Sequence, residues 1–170
     1  VESGKHVFVE KPLAVNSDQL SMINEKMNSL KQPPLLMVGF NRRFAPHVVK
    51  MKSLLESKRE PKVVVMTVNA GAIPGEHWTQ DPEVGGGRIV GEGCHFIDLM
   101  RFLVGYSITG HQAMMMGDVP GVEIRDDKVS INLSFADGSF GTIHYLANGG
   151  KAFPKERIEV FCGDAVLQMD

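Results

Sequence analysis

The chain has 170 residues, of which 43% are hydrophobic and 22% charged, with a formal net charge of −2. That composition lies near the globular average and supports one domain, or one domain plus a remnant, able to bury roughly 70% of its unfolded surface. The charge offers no basic stripe for nucleic acid, no apolar run approaches the roughly 18–20 residues of a membrane span, and the mixed, charged amino terminus carries no signal peptide.

Val1-Glu2-Ser3-Gly4 reads as the last turn of a helix stopped by glycine, so the chain is expected to begin in mid-fold, as a fragment of a longer protein. A short strand, His6–Val9, runs into Glu10-Lys11-Pro12. Asn16 or Ser17 caps a helix to about Leu30, with Leu20, Ile23, Met27 and Leu30 on one face, and Pro33-Pro34 ends it. The apolar run Leu35–Phe40 has the character of a strand buried on both faces. Residues 6–40 therefore form a βαβ unit, expected to cross over right-handed. Pro46 opens a second helix to about Ser57, with Val48, Val49, Met51, Leu54 and Leu55 as its stripe. A strand, Lys62–Ala70, leads to a long Gly- and Pro-rich loop, Gly71–Gly87, a length that usually marks function or mobility. A helix carrying His95, Ile97, Leu99, Met100, Phe102 and Leu103 stops at Gly105. Strands follow at 108–116, 128–135, 139–147 and 157–161, with another possible from Asp164, and Asp137-Gly138 marks a hairpin. The fold class is thus α/β plus α+β, ending in a mostly antiparallel open sheet with helices on one face. Two cysteines, Cys94 and Cys162, without Cys-x-x-Cys or zinc-like histidine spacing, indicate a reduced cytoplasmic protein with no metal site.

Three segments carry chemistry. Lys11 stands at the end of a strand, where open α/β sheets place their ligands. His95, with a side chain that titrates near neutrality, suits a general acid or base, although a histidine at a helix start also reads as a cap. Arg42 directly follows a strand and has the donor fork to grip a carboxylate or phosphate, while Arg43 equally suits a tie between domains. His77-Trp78 reads either as a sugar-stacking lid or as a self-packed loop. No Gly-x-Gly-x-x-Gly turn is present to cradle a pyrophosphate.

Glu10-Lys11-Pro12, the stretch Gly39-Phe40-Asn41-Arg42-Arg43-Phe44-Ala45-Pro46, and Gly85-Gly86-Gly87-Arg88 leading into Gly91-Glu92-Gly93-Cys94-His95-Phe96-Ile97-Asp98 together resemble the Gfo/Idh/MocA family of nicotinamide-dependent oxidoreductases. The last segment is worded like a subgroup fused behind a zinc alcohol-dehydrogenase-like domain. The resemblance implies that residues 1–43 are the end of a Rossmann-like dinucleotide-binding domain, and that residues 44–170 are a substrate and oligomerisation domain, truncated at its carboxyl end. It implies hydride transfer between NAD or NADP and a hydroxyl carbon of a sugar, inositol or nucleotide sugar. Glu10, Lys11 and Pro12 would lie against the cofactor, with Lys11 touching both substrate and nicotinamide ribose, and His95 would be the acid/base. Many relatives carry aspartate four residues before that histidine. Here Gly91 stands there, and Glu92, on the same helix face, is the carboxylate that would replace it. Asn41, Arg42, Asn69 and Tyr145 match places that relatives turn toward substrate, while Asp98 matches a structural position. A homo-oligomer through the open sheet face is expected, with Thr142, His144 and Tyr145 contributing. The alternative is a noncatalytic sugar-binding or oligomerisation domain.

Overall fold

The computed structural model describes residues 1–170. β1 (Val7–Val9) and β2 (Leu36–Val38) pair in parallel, Phe8 opposite Met37, and are linked by α1 (Ser17–Ser29). Asn16 is the cap that wins: its side-chain oxygen accepts from the Gln19 amide at 2.9 Å. Within these 170 residues β2 is not covered on both faces. Met37 is 50% exposed, Phe8 beside it is 61% exposed, and α1 buries no residue. A layer of two strands leaves the alternate side chains of one face uncovered, however apolar the run.

A 3₁₀ turn at Asn41–Phe44 leads to α2 (Pro46–Leu55), with proline at its first turn, where the missing N–H costs nothing. Val48, Met51 and Leu55 are buried, whereas Val49 and Leu54 face solvent, so the apolar stripe is narrower than expected. β3 (Val63–Asn69), β4 (Ile108–Met115), β5 (Lys128–Phe135), β6 (Phe140–Leu146), β7 (Glu156–Cys162) and β8 (Ala165–Met169) form one sheet in the order β4-β5-β6-β3-β7-β8. Every neighbouring pair is antiparallel except β3 with β6. The Asp137-Gly138 hairpin forms as expected, with Gly138 at φ 87°. β7 and β8 join through Gly163 and Asp164, both at positive φ, which suits the twist of a tight hairpin.

Period-two alternation sends Val64, Met66 and Val68, then Val129, Ile131, Leu133 and Phe135, then Ile143, Tyr145, Ile158 and Val160 to one face. These pack against α2 and α3 (Cys94–Val104), whose Phe96, Leu99, Met100, Leu103 and Val104 complete the core. Gly141 permits the close approach. A Cβ there would lie 2.6 Å from Met100 Sδ and 2.8 Å from the Val64 carbonyl. α3 ends at Gly105, in the left-handed region.

The other face is open and graded. Thr142 donates to Asn132 at 2.6 Å, and His144 meets Ser130 at 2.9 Å. One cross-strand row, Ser134–Phe140–Val63–Phe161–Val166, is apolar across four adjacent strands. Tyr145 does not share this face with Thr142 and His144, because odd and even residues of a strand point apart; it is wholly buried beneath the helices. No helix is long and apolar enough to cross a membrane.

Candidate active site

Lys11 lies two residues past β1, after Glu10, and the Lys11–Pro12 peptide is cis. Its Nζ donates to the Gly91 carbonyl at 2.5 Å. Gly91 lies within a π turn, Ile89–Gly93, that runs straight into α3. Wide turns of this kind are frequent at functional sites. The turn fixes the start of α3, and so fixes His95 on its first turn, beside the end of β1.

Lys11, Pro12, Arg42, Glu92 and His95 all border one cavity of about 310 Å³, walled on its apolar side by Val15, Ile73 and Val84 and flanked by Trp78. Pockets for small molecules begin near this size. The loop over it is packed rather than loose. A Cβ on Gly85 would strike Thr79 Cα at 2.5 Å, and one on Gly91 would come within 3.3 Å of the Gly85 carbonyl. Glycine at both places lets the loop lie directly on the π turn.

His95 is 8% exposed and sits edge-on to Phe40, with its Nδ1 buried and unpartnered. Burial pushes its pKa below the ordinary value, and the charges of Lys11 and Arg42 push the same way, against Glu92 and Asp98. The imidazole is therefore neutral at neutral pH and able to accept a proton.

Glu92 behaves differently. Its Oε2 accepts from Tyr145 Oη at 2.5 Å and from Arg88 at 2.8 Å. Burial alone would raise its pKa, but the bonds from Tyr145 and Arg88 and the charges of Arg88 and Lys155 outweigh that and hold it low. The carboxylate stays ionised. The Tyr145 hydroxyl is raised well above the usual phenol range by burial and by Glu92, and remains a donor.

Arg42 borders the cavity, pairs with Glu156 and lies 4.5 Å over the Phe96 ring. Asn41 opens instead on an adjoining hollow that it shares with Arg42 and His95. Arg43 embraces Asp98 through two hydrogen bonds, which makes that pair a structural tie. Other sequence candidates lie elsewhere. The Asn69 amide donates to the carbonyls of Gly150 and Phe153, at 2.8 and 3.2 Å, and does not border the cavity. Tyr145 meets the site through Glu92 and Arg88 rather than bordering the cavity itself, and the Glu10 side chain lies beside Gly39. Sequence reasoning quoted Arg88 as part of a motif but gave it no role. Its spacing of four from Glu92, a helical ion-pair distance, was the available signal.

The model of the GFO/IDH/MocA C-terminal domain matches residues 48–168. The chain belongs to the GFO/IDH/MocA family. It is 37% identical over 160 residues to inositol 2-dehydrogenase 2 of Saccharopolyspora erythraea, a match covering 90% of this chain and 44% of that protein. It is 31% identical over 148 residues to scyllo-inositol 2-dehydrogenase (NAD(+)) of Bacillus subtilis, covering 84% and 42%. In fold it superposes on levoglucosan dehydrogenase, solved in complex with NADH and levoglucosan. That match has a TM-score of 0.79 and 23% identity, over 99% of this chain and 48% of that one. The chain spans about half the length of the curated relatives it matches.

Proposed function

We propose that this chain supplies the substrate-facing half of an NAD(P)-dependent dehydrogenase acting on a hydroxyl carbon of a cyclic polyol, such as an inositol or a sugar. The observation that carries the reading is the meeting of Lys11 and a neutral His95 on one cavity of about 310 Å³. The inositol and sugar dehydrogenases among the relatives support the substrate class.

The residues fit the nicotinamide end of a cofactor, since a lysine at a strand end borders a cavity beside an acid/base candidate. The Gly-x-Gly-x-x-Gly turn that would hold its pyrophosphate is not among the 170 residues. The cofactor, when bound, supplies the hydride acceptor or donor. His95 takes the hydroxyl proton during oxidation and returns it during reduction. Lys11, anchored on Gly91, orients the oxygen from which that proton leaves, and Trp78 flanks the ring. Asn41 and Arg42 extend the polar wall. Residues 1–43 then belong to a dinucleotide-binding domain and residues 44–170 to the substrate domain. The isolated chain is expected to be inactive.

The test is nicotinamide absorbance with the full-length protein, NAD or NADP, and a panel of inositols, hexoses and nucleotide sugars. Polyol-dependent reduction of the cofactor is expected. Silence across the whole panel overturns the reading.

The open sheet face supports a further part of it, a homo-oligomer. Phe140, Phe161 and Val166 are 54%, 40% and 56% exposed along one continuous row, and contiguous apolar surface of this kind marks contact sites. Sedimentation of the full-length protein at micromolar concentration is expected to show a dimer or tetramer, dissociated by Phe140→Asp combined with Phe161→Asp. A wild-type monomer sinks the idea.

A further inference from the structure

The cluster beneath the cavity has more connections than a simple ion pair needs. The Arg88 side chain is 3% exposed and makes four contacts from one position. It donates to the Gly71 carbonyl at 2.5 Å, to the Ala70 carbonyl at 3.4 Å and to Glu92 Oε2 at 2.8 Å, and its guanidinium carbon lies 5.4 Å from the centre of the Tyr145 ring. Ala70 and Gly71 are where β3 passes into the long loop that folds over the cavity. The same guanidinium therefore holds the root of that loop and the carboxylate of Glu92. Tyr145, from β6, donates to the same carboxylate oxygen from the core side. Both donors converge on Oε2. Oε1 takes no hydrogen bond and is not closed off from solvent, while the residue borders the cavity.

We propose that Arg88 and Tyr145 are positioning residues that clamp Glu92 by one oxygen, so that the other is presented to the cavity as a fixed anionic acceptor for a substrate hydroxyl. The inference rests on the polyol dehydrogenase reading and deepens it. A carboxylate held by two donors in a half-buried place does not swing or protonate as the ligand enters, so it reads a hydroxyl rather than exchanging protons with it. It also explains how the site works with glycine at position 91. The carboxylate comes from the next residue of the π turn, and Lys11 takes the Gly91 carbonyl instead. Because Arg88 also anchors the loop root, the acceptor and the cavity wall keep one register. A fixed carboxylate acceptor of this kind favours a ligand that presents a hydroxyl to Oε1 over an analogue lacking it.

The groups facing Glu92 are Arg88 on its own turn, Tyr145 on β6, Lys155 in the segment before β7, and His95 one turn onward. Two measurements on the full-length protein separate the possibilities. Isotope-edited infrared spectroscopy, taken as a difference against Glu92→Gln, follows ionisation of this one carboxylate without need of turnover. Arg88→Met is expected to move its titration upward, because burial is then opposed by fewer donors, with Tyr145→Phe moving it in the same direction by less. The second measurement is the pH profile of kcat/KM with the fastest polyol of the panel. Arg88→Met is expected to cost about tenfold to a hundredfold, the weight of a hydrogen bond to a charged group. It should also carry the acid-side loss of oxidation to higher pH than in the wild type, an effect partly reversed in Arg88→Lys. A Glu92 titration unmoved in both variants overturns the clamp. A titration that moves while the pH profile stays fixed overturns the positioning role. If Arg88→Met does not fold, Tyr145→Phe decides by the same two readouts. A wild-type protein silent toward every polyol refutes the functional reading, and the infrared titration still judges the clamp.

Discussion

Replacing His95 with asparagine in the full-length protein is expected to lower kcat by about 10²- to 10⁴-fold, the usual weight of a general acid or base, with KM little changed. The sign of the pH dependence follows from the environment. Burial pushes the imidazole pKa below its ordinary value, and Lys11 and Arg42 add to that, while Glu92 and Asp98 oppose it. The proton-accepting form is the neutral one, so oxidation of the polyol holds its full rate above that lowered pKa and fails as pH falls through it. Reduction needs the protonated form and shows the mirrored behaviour, failing as pH rises through the same value. Steady-state rates in both directions across pH check this, and near-normal turnover in His95→Asn would show that another group carries the proton. The neighbours are poorly placed to do so. Glu92 is held ionised by two donors, and the Tyr145 hydroxyl is buried and committed to it.

The candidate site is partly legible in the sequence, and the division has physical causes. Lys11 and His95 each stand at the end of an element, where local pattern fixes position, and both border the one cavity. Elements with strong periodicity were equally readable: β5 alternates Val129, Ile131, Leu133 and Phe135 with small polar residues, and those four are buried. Tyr145 shares the buried face of β6 with Ile143, not the open face expected for it, since a single-residue slip of register inverts a strand. Asn69 closes β3 as expected, yet its amide is consumed by the carbonyls of a loop some eighty residues onward, which no local pattern announces. Arg88 is hidden for the converse reason. It follows three glycines and looks like part of a mobile turn, whereas its partners, Gly71, Glu92 and the Tyr145 ring, come together only when the long loop folds back. Gly85 makes that folding possible, for steric reasons visible only between Thr79 and the π turn.

Lys11→Met is expected to impair both kcat and KM, with kcat/KM falling about 10²- to 10³-fold, the cost of losing a preorganised donor at the reacting oxygen. Lys11 has no carboxylate partner; its one hydrogen bond runs to the Gly91 carbonyl. An ammonium carries three donors, so two remain for ligand oxygens. That is why one residue is expected to govern both binding and turnover. Arginine is not expected to restore function, because its planar fork does not reproduce a compact ammonium seated on a single carbonyl. A second consequence distinguishes chemistry from simple collapse of the cleft. The Lys11 charge is one of the causes that lower the His95 pKa. Removing it lets that pKa rise, so the acid limb of the oxidation profile should move to higher pH in Lys11→Met. Parallel pH profiles of wild type and variant decide the matter. A loss of rate with the limb displaced upward supports an ammonium and an imidazole sharing one cavity. A loss with the limb unmoved would mean that the two charges do not sense each other during turnover, and the arrangement proposed for the pair would have to be abandoned.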